Sequence, residues 1–376
     1  MSEFSPSQRL VHFGLQPQHT EGTIGTFNNV IEANPATQGI PASLNEKERS
    51  LLQNATVETN RYLVQKFERL NISSTISFPQ ISYRSKSNDE SKGGFYNPNS
   101  GLVVVNIPPE NRDFLATALT QAHEISHATA VQQLRIQWKK DDSGKIKERT
   151  TTVVGLTRSS DVEKLAHPKN DVYPNSTIRL ITDEKKLSRR FMDGLENGLA
   201  VMDSVDVYTQ VLKDVFPEEA MDHEVQATKG NIESLLRRSD NTPFGPIDRK
   251  VIPAFLEIQT HKIPFLRKVI QSARLNDQQL RNFIFITEVC RTLGHQVLTD
   301  TNELDFTNEQ MIQTGRNILE RDRYTGSTSG LKKLVKVFGL EKSKALFKAD
   351  DREEGLYEAM AAVRARQREL GLPTSL

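Results

Sequence analysis

Cysteine is almost missing from this 376-residue chain: Cys290 stands alone, so no disulfide can form within it. A chain without such crosslinks is expected in a reducing compartment. Cys290 follows the apolar run Phe283-Ile284-Phe285-Ile286, which reads as a packed core thiol rather than a nucleophile. An excess of one charge is lacking too. The 49 Lys and Arg against 48 Asp and Glu leave a formal net charge of +1, whereas binding to a phosphate backbone calls for a strongly basic face. The basic cluster Arg364, Arg366 and Arg368 lies on an acid-interleaved stretch and reads as a solvated helix face. No stretch approaches the roughly 18 uncharged apolar residues of a spanning helix. Met1–Pro6 lacks the basic-then-apolar order of a secretory signal. These absences lead to an expected cytoplasmic protein with neither nucleic acid nor membrane as partner, export without a cleaved signal remaining open. Also missing are Gly-x-Ser-x-Gly, the phosphate-cradling Gly-x-x-x-x-Gly-Lys and the Rossmann glycine fingerprint.

What is present divides into three parts. Residues 1–45 are rich in Gly, Asn, Gln, Thr and Pro without sustained periodicity, and are expected to be irregular. From about Asn45 to Leu70, the spacing of Leu51, Leu52, Val57, Tyr62, Leu63, Phe67 and Leu70 predicts an amphipathic helix. Short alternating segments follow at 75–78 and 81–83, then Phe95-Tyr96 and the apolar strand Leu102–Ile107. Pro109 and Glu110 suit a helix N-terminus. Apolar spacing through Leu115, Leu119, Ala122, Ile125 and Val131 carries that helix to about Trp138. A β-branched strand is expected near 150–156, a long polar stretch after it, and a second strong helix over about 185–215. Beyond Phe216-Pro217 nearly everything reads as helix: about 218–238, 249–273, 276–298, 308–321, 329–349 and 351–370.

The first of the strong helices bears His123-Glu124-Ile125-Ser126-His127. Two histidines four apart project from one helix face, one turn from each other. Both imidazoles can therefore ligate one Zn²⁺ at about 2.0–2.1 Å. Glu124 sits on the adjacent flank, placed to take the proton of a metal-activated water as that water attacks a carbonyl. Five such residues arise by chance in roughly one chain of this kind in a hundred, so context matters. Here the motif lies well inside a periodic helix, and the small residues Ala116, Thr120 and Ala130 line the histidine stripe.

A catalytic zinc usually takes three protein ligands and keeps an open position. Glu196 is the leading candidate for the third, because it shares a helical stripe with Met192, Leu199 and Ala200. A carboxylate on an apolar stripe is costly unless paired or bound to metal. Gly198 would admit a neighbouring backbone and bring Glu196 over the first helix, with Asp193 and Asp203 as rival ligands. Asp203 and Asp206 are candidates to hold the far N–H of a ligating histidine. Tyr208, His223 and Tyr96 are unranked candidates for a transition-state donor. Gly155–Arg158 reads first as a strand end and second as a wall of the cleft. The remaining histidines, His12, His19, His167, His261 and His295, form no pair at ligand spacing.

His-Glu-x-x-His on one helix with a glutamate on a second resembles the zincin metallopeptidases of the gluzincin type, over roughly residues 75–215. The second motif departs from that family, since Glu196-Asn197-Gly198-Leu199-Ala200 exchanges the acid and the amide. The resemblance implies an α+β zincin-like catalytic unit, a metalloprotease cleaving a peptide or protein substrate. It also implies that Leu102–Ile107 is the edge strand to which extended substrate adds. The resulting expectation is a catalytic unit over 46–216 and a helical C-terminal region over 217–376. Zn²⁺ would be held by His123, His127 and Glu196, with Glu124 as general base. A helical binding or scaffolding protein with a degenerate or structural metal site is the rival reading.

Overall fold

The computed structural model describes residues 9–13, 42–72, 78–85, 93–97, 102–109, 113–140, 146–161, 164–165, 187–217, 277–301, 305–349 and 353–373. Helices dominate, and with two sheets they make an α+β fold. Helix α1 (Glu46–Arg69) starts where its sequence allows: the Asn45 side chain accepts from Glu48 N–H while Glu48 reaches back to Asn45 N–H, a reciprocal capping box.

The smaller sheet holds β2 (Gln80–Ser85), β3 (Gly94–Asn97) and β4 (Leu102–Ile107) in the order β2-β4-β3. β4 pairs parallel with β2 and antiparallel with β3. It is thus the central strand, and the expectation that Leu102–Ile107 forms a substrate-binding edge is corrected. Its sequence explains the placement, because Val103, Val104, Val105 and Ile107 are all buried, the pattern of a strand covered on both faces.

Helix α2 (Phe114–Thr129) packs on this sheet and carries the histidine motif. Asp113 caps it by accepting from Ala116 N–H at 2.9 Å. It ends at Thr129 instead of running to Trp138, and Ala130 turns to an extended backbone at ψ 155. Past that point Leu134, Ile136 and Trp138 alternate with Arg135 and Gln137, and the two-residue period wins: Gln132–Lys140 is strand β5.

β5 joins the larger, six-stranded sheet with β1 (Arg9–Phe13), β6 (Ile146–Val154), β7 (Thr157–Asp161), β8 (Lys164–Leu165) and β9 (Leu187–Phe191). The order is β1-β5-β6-β7-β9, with β8 on β6 and every pairing antiparallel. β1 falls in the segment expected to be irregular, and β7 to β9 fall in or beside the expected polar stretch. Side-chain pattern understated these strands; cross-strand backbone pairing supplies their order.

After β9 the chain turns at Met192, left-handed at φ 63, into α3 (Asp193–Val207). The helix continues as a π-helical turn (Tyr208–Leu212) and a last short turn. Expected from about 185, it begins eight residues later because Leu187–Phe191 pairs with β7. Helices α4 (Asp277–Asp300), α5 (Asn308–Thr325), α6 (Ser329–Phe338), α7 (Leu340–Lys348) and α8 (Glu353–Glu369) complete the described chain. The helix expected over 329–349 is two, broken at Gly339, whose φ of 75 is closed to most side chains. Those expected over 218–238 and 249–273 lie outside the described residues.

Two apolar clusters hold this together. Leu115, Ala118, Ala122 and Ile125 of α2 pack with Leu52, Tyr62 and Leu63 of α1 and with Ile107. The larger joins Leu195, Leu199 and Met202 of α3 to residues of α4 through α8. α3 therefore packs into the core that the C-terminal helices form. Gly198 does admit a neighbour, but that neighbour is α4: a Cβ there would stand 2.6 Å from Ile286 Cβ. No described helix is long and apolar enough to cross a membrane.

Candidate metal centre

His123 and His127 face each other across one turn of α2. Their rings stand edge to face at 86°, and their Nε2 atoms are 3.2 Å apart. Two nitrogens at 2.0–2.1 Å from one tetrahedral ion would be separated by about 3.3 Å, so the pair is spaced as two ligands of one ion are. Nδ1 of His123 is buried with no hydrogen-bond partner among the described residues. Burial, then the nearby His127 and Arg323, push the pKa of His123 down to about 3. It is a neutral imidazole over the whole physiological range, the form a metal requires.

Glu196 meets the other edge of His127, with Oε1 lying 3.1 Å from Nδ1. Its Oε1 also accepts from Arg323 Nε at 2.8 Å, and its Oε2 accepts from the Leu156 amide at 2.9 Å. Burial opposes ionisation of Glu196, but Arg323, the bond to His127 and the Leu156 amide outweigh it and hold the carboxyl at about 2. An ionised carboxylate only accepts, so Nδ1 of His127 carries the hydrogen and its Nε2 faces His123. For His127, burial lowers the pKa, but the bond to Glu196 and the charges of Glu196 and Glu124 raise it above its ordinary value.

Glu124 is 9% exposed at the boundary of the same face. Strand β3 crosses α2 beside it. A Cβ on Gly94 would lie 3.0 Å from the Thr120 side chain and 3.5 Å from Glu124 Cγ, so the absence of a side chain at Gly94 sets the close approach. The turn between β6 and β7 closes the other side. Gly155 has φ 55, and a Cβ there would stand 2.1 Å from Glu196 Oε2. Within Gly155–Arg158, Gly155 and Leu156 are the seat of the Glu196 carboxylate.

The rival acids are placed elsewhere. Asp193 accepts from Thr157 Oγ1 at 3.3 Å. Asp203 accepts from Ser126 Oγ at 2.6 Å, from Arg316, Arg323 and Tyr324, and from Lys66. Asp206 accepts from Tyr62 and pairs with Arg316. Neither Asp203 nor Asp206 has a histidine among these partners; the carboxylate that meets His127 Nδ1 is Glu196. Tyr96 packs on Val103, Val105 and Ala128, Tyr208 is fully buried, and His223 lies outside the described residues. Among the described residues, no three metal-ligating side chains converge on one point.

Sequence reasoning missed the ionic hub behind the histidines. Arg316, Glu320 and Arg323 of α5 share one helical stripe with the buried Ile312 and Leu319, and Lys66 shares one with Leu63 and Phe67. Charges on an apolar stripe, the signal that marked Glu196, would have marked them too. Among the described residues, Lys66, Arg316 and Arg323 face Glu196, Asp203, Asp206 and Glu320 in this hub. The histidine pair borders this hub through the contact of His127 with Glu196.

Comparison with protein-family models, curated proteins and solved structures finds no match for this chain in any of the three.

Proposed function

We propose that this protein is a zinc-dependent hydrolase, most simply a peptidase, with a zincin-like centre on α2. The observation that carries the reading is the Nε2–Nε2 separation of 3.2 Å between His123 and His127, the spacing of two ligands on one tetrahedral ion. The donor set is that of a borderline-soft divalent ion. Bound there, zinc would supply Lewis acidity and bring the pKa of a water towards neutrality. Glu196, opposite Nε2 on the ring, is better placed to orient His127 than to ligate as a third residue. Carboxylates that grip the far nitrogen of a ligating histidine fix its tautomer and strengthen it as a ligand.

Glu124 then serves as general base, taking the proton from the attacking water and returning it to the leaving amine. Strand β3 takes over the part first expected of β4. It has no strand partner but β4 among the described residues and crosses α2 at Glu124, so a peptide laid along it would bring a carbonyl to the base. A helical binding protein is the rival, favoured by the absence of a third converging ligand among the described residues.

Metal analysis of the purified chain decides between them. About one zinc per chain is expected in the wild type and in Glu124→Gln, and none in His123→Ala. Hydrolysis of a mixed peptide library is expected from the wild type alone. No zinc in any of the three after metal is supplied and the excess removed would make the binding protein the better reading.

A further inference from the structure

The C-terminal helices hold no part of the histidine motif, yet one of their residues reaches it. Arg323, near the end of α5, is fully buried and makes three separate contacts around His127. Its Nε donates to Glu196 Oε1 at 2.8 Å, the oxygen that also meets His127 Nδ1. Its Nη2 donates to the backbone carbonyl of Ser126, the residue before His127, at 3.0 Å. Its own carbonyl accepts from Val131 N–H at 3.0 Å, just past the end of α2. Val131 in turn accepts from Gly155 N–H at 2.7 Å, next to the Leu156 amide that holds Glu196 Oε2. One guanidinium and one carbonyl thus fasten the helix on both sides of His127 and the carboxylate on its ring.

We propose that Arg323 is a positioning residue that fixes the ring orientation and tautomer of His127, acting through Glu196 and the α2 backbone. Its value to the metal centre rests on the reading of His123 and His127 as ligands. A planar fork is needed, because the Glu196 carboxylate and the Ser126 carbonyl are held by different nitrogens of one group. A lysine is a single point of charge and spans only one of them.

The test compares Arg323→Lys with Arg316→Lys, both buried and both charge-conserving. Arg316 serves the same hub through Asp203 and Glu320 without a contact to Glu196. Three readouts are taken on the full chain: thermal unfolding, zinc affinity by competition with a chromophoric chelator, and the His127 tautomer by nitrogen-15 NMR without metal. In the wild type His127 is expected as the Nδ1–H form. Arg323→Lys is expected to populate the other tautomer and to bind zinc roughly 10–100-fold more weakly. Arg316→Lys is expected to lose stability while keeping both the tautomer and the affinity. Glu196→Gln, which alters the same contact from its other end, should reproduce the Arg323→Lys result and stands in for it if that variant does not fold.

An unchanged tautomer and affinity in Arg323→Lys would overturn the proposal while leaving the metal reading intact. Equal losses of affinity in the two lysine variants, in step with stability, would overturn it as well. A wild type that binds no zinc but whose His127 tautomer still follows Arg323 sinks the metal reading and supports the positioning of the ring.

Discussion

Gly155 shows how much a single residue decides. Its backbone lies at φ 55, and the space a Cβ would take is already filled by the Glu196 carboxylate, 2.1 Å away. Gly155→Ala therefore meets both a strained backbone and a displaced anion. It is expected to lower stability by more than about 1 kcal/mol and to weaken zinc binding with it, as thermal unfolding and chelator competition would record. Cys290 is the opposite case. Burial pushes its thiol well above the usual range, so a thiol reagent should leave it untouched in the native protein and modify it on denaturation. Prompt reaction of the native protein would contradict the packing described. That His123, Glu124 and His127 share one helix, with the two rings one turn apart, was legible because the motif spans only five consecutive positions. Arg323 was not, since its meaning depends on a carboxylate 127 positions away that no local pattern connects to it.

At the scale of elements, the helices were read well and the strands poorly. α1 and α4 fall within about two residues of their expected ends, because an apolar stripe and a cap are properties of the segment itself. α2 was overrun at its C-terminus, where Val131 continues the helical stripe but Gln132–Trp138 takes up a two-residue alternation. β4 was bounded correctly and misplaced, since strand order is set by pairing across the sheet and not by a strand's own sequence. The start of α2 offers a direct check. Replacing its cap, Asp113→Ala, removes the acceptor for Ala116 N–H and is expected to cost about 0.5–2 kcal/mol in denaturant unfolding. The histidine separation should be preserved, because the motif lies more than two turns further on, so zinc content should not change.

For the whole molecule, the buried hub makes stability a function of pH. Burial works against ionised Asp203, but Lys66, Arg323 and Arg316 together hold its carboxyl far below the ordinary range. Glu196 is held at about 2 against an ordinary 4.5. Both folded values lie below the unfolded ones, so their stabilisation is complete above the unfolded range and drains away as acid is added. His123, at about 3 against an ordinary 6.5, acts in the same direction because the unfolded chain takes up its proton first. His127, raised, offsets part of this. Far-UV circular dichroism on acid titration should show cooperative loss of structure beginning below about pH 4.5. A chain still folded near pH 2 would show that the hub contributes little.

The grip of Arg323 on Ser126 also bears on when the histidine helix is fastened during synthesis. These two residues are 197 positions apart, and at roughly 5–20 residues per second the ribosome needs about 10–40 s to travel from one to the other. Through that interval the residue that holds the backbone of the histidine helix has yet to be translated. A growing polypeptide therefore carries the motif before the contact that holds its helix can form, and that contact closes only once most of the chain has been made.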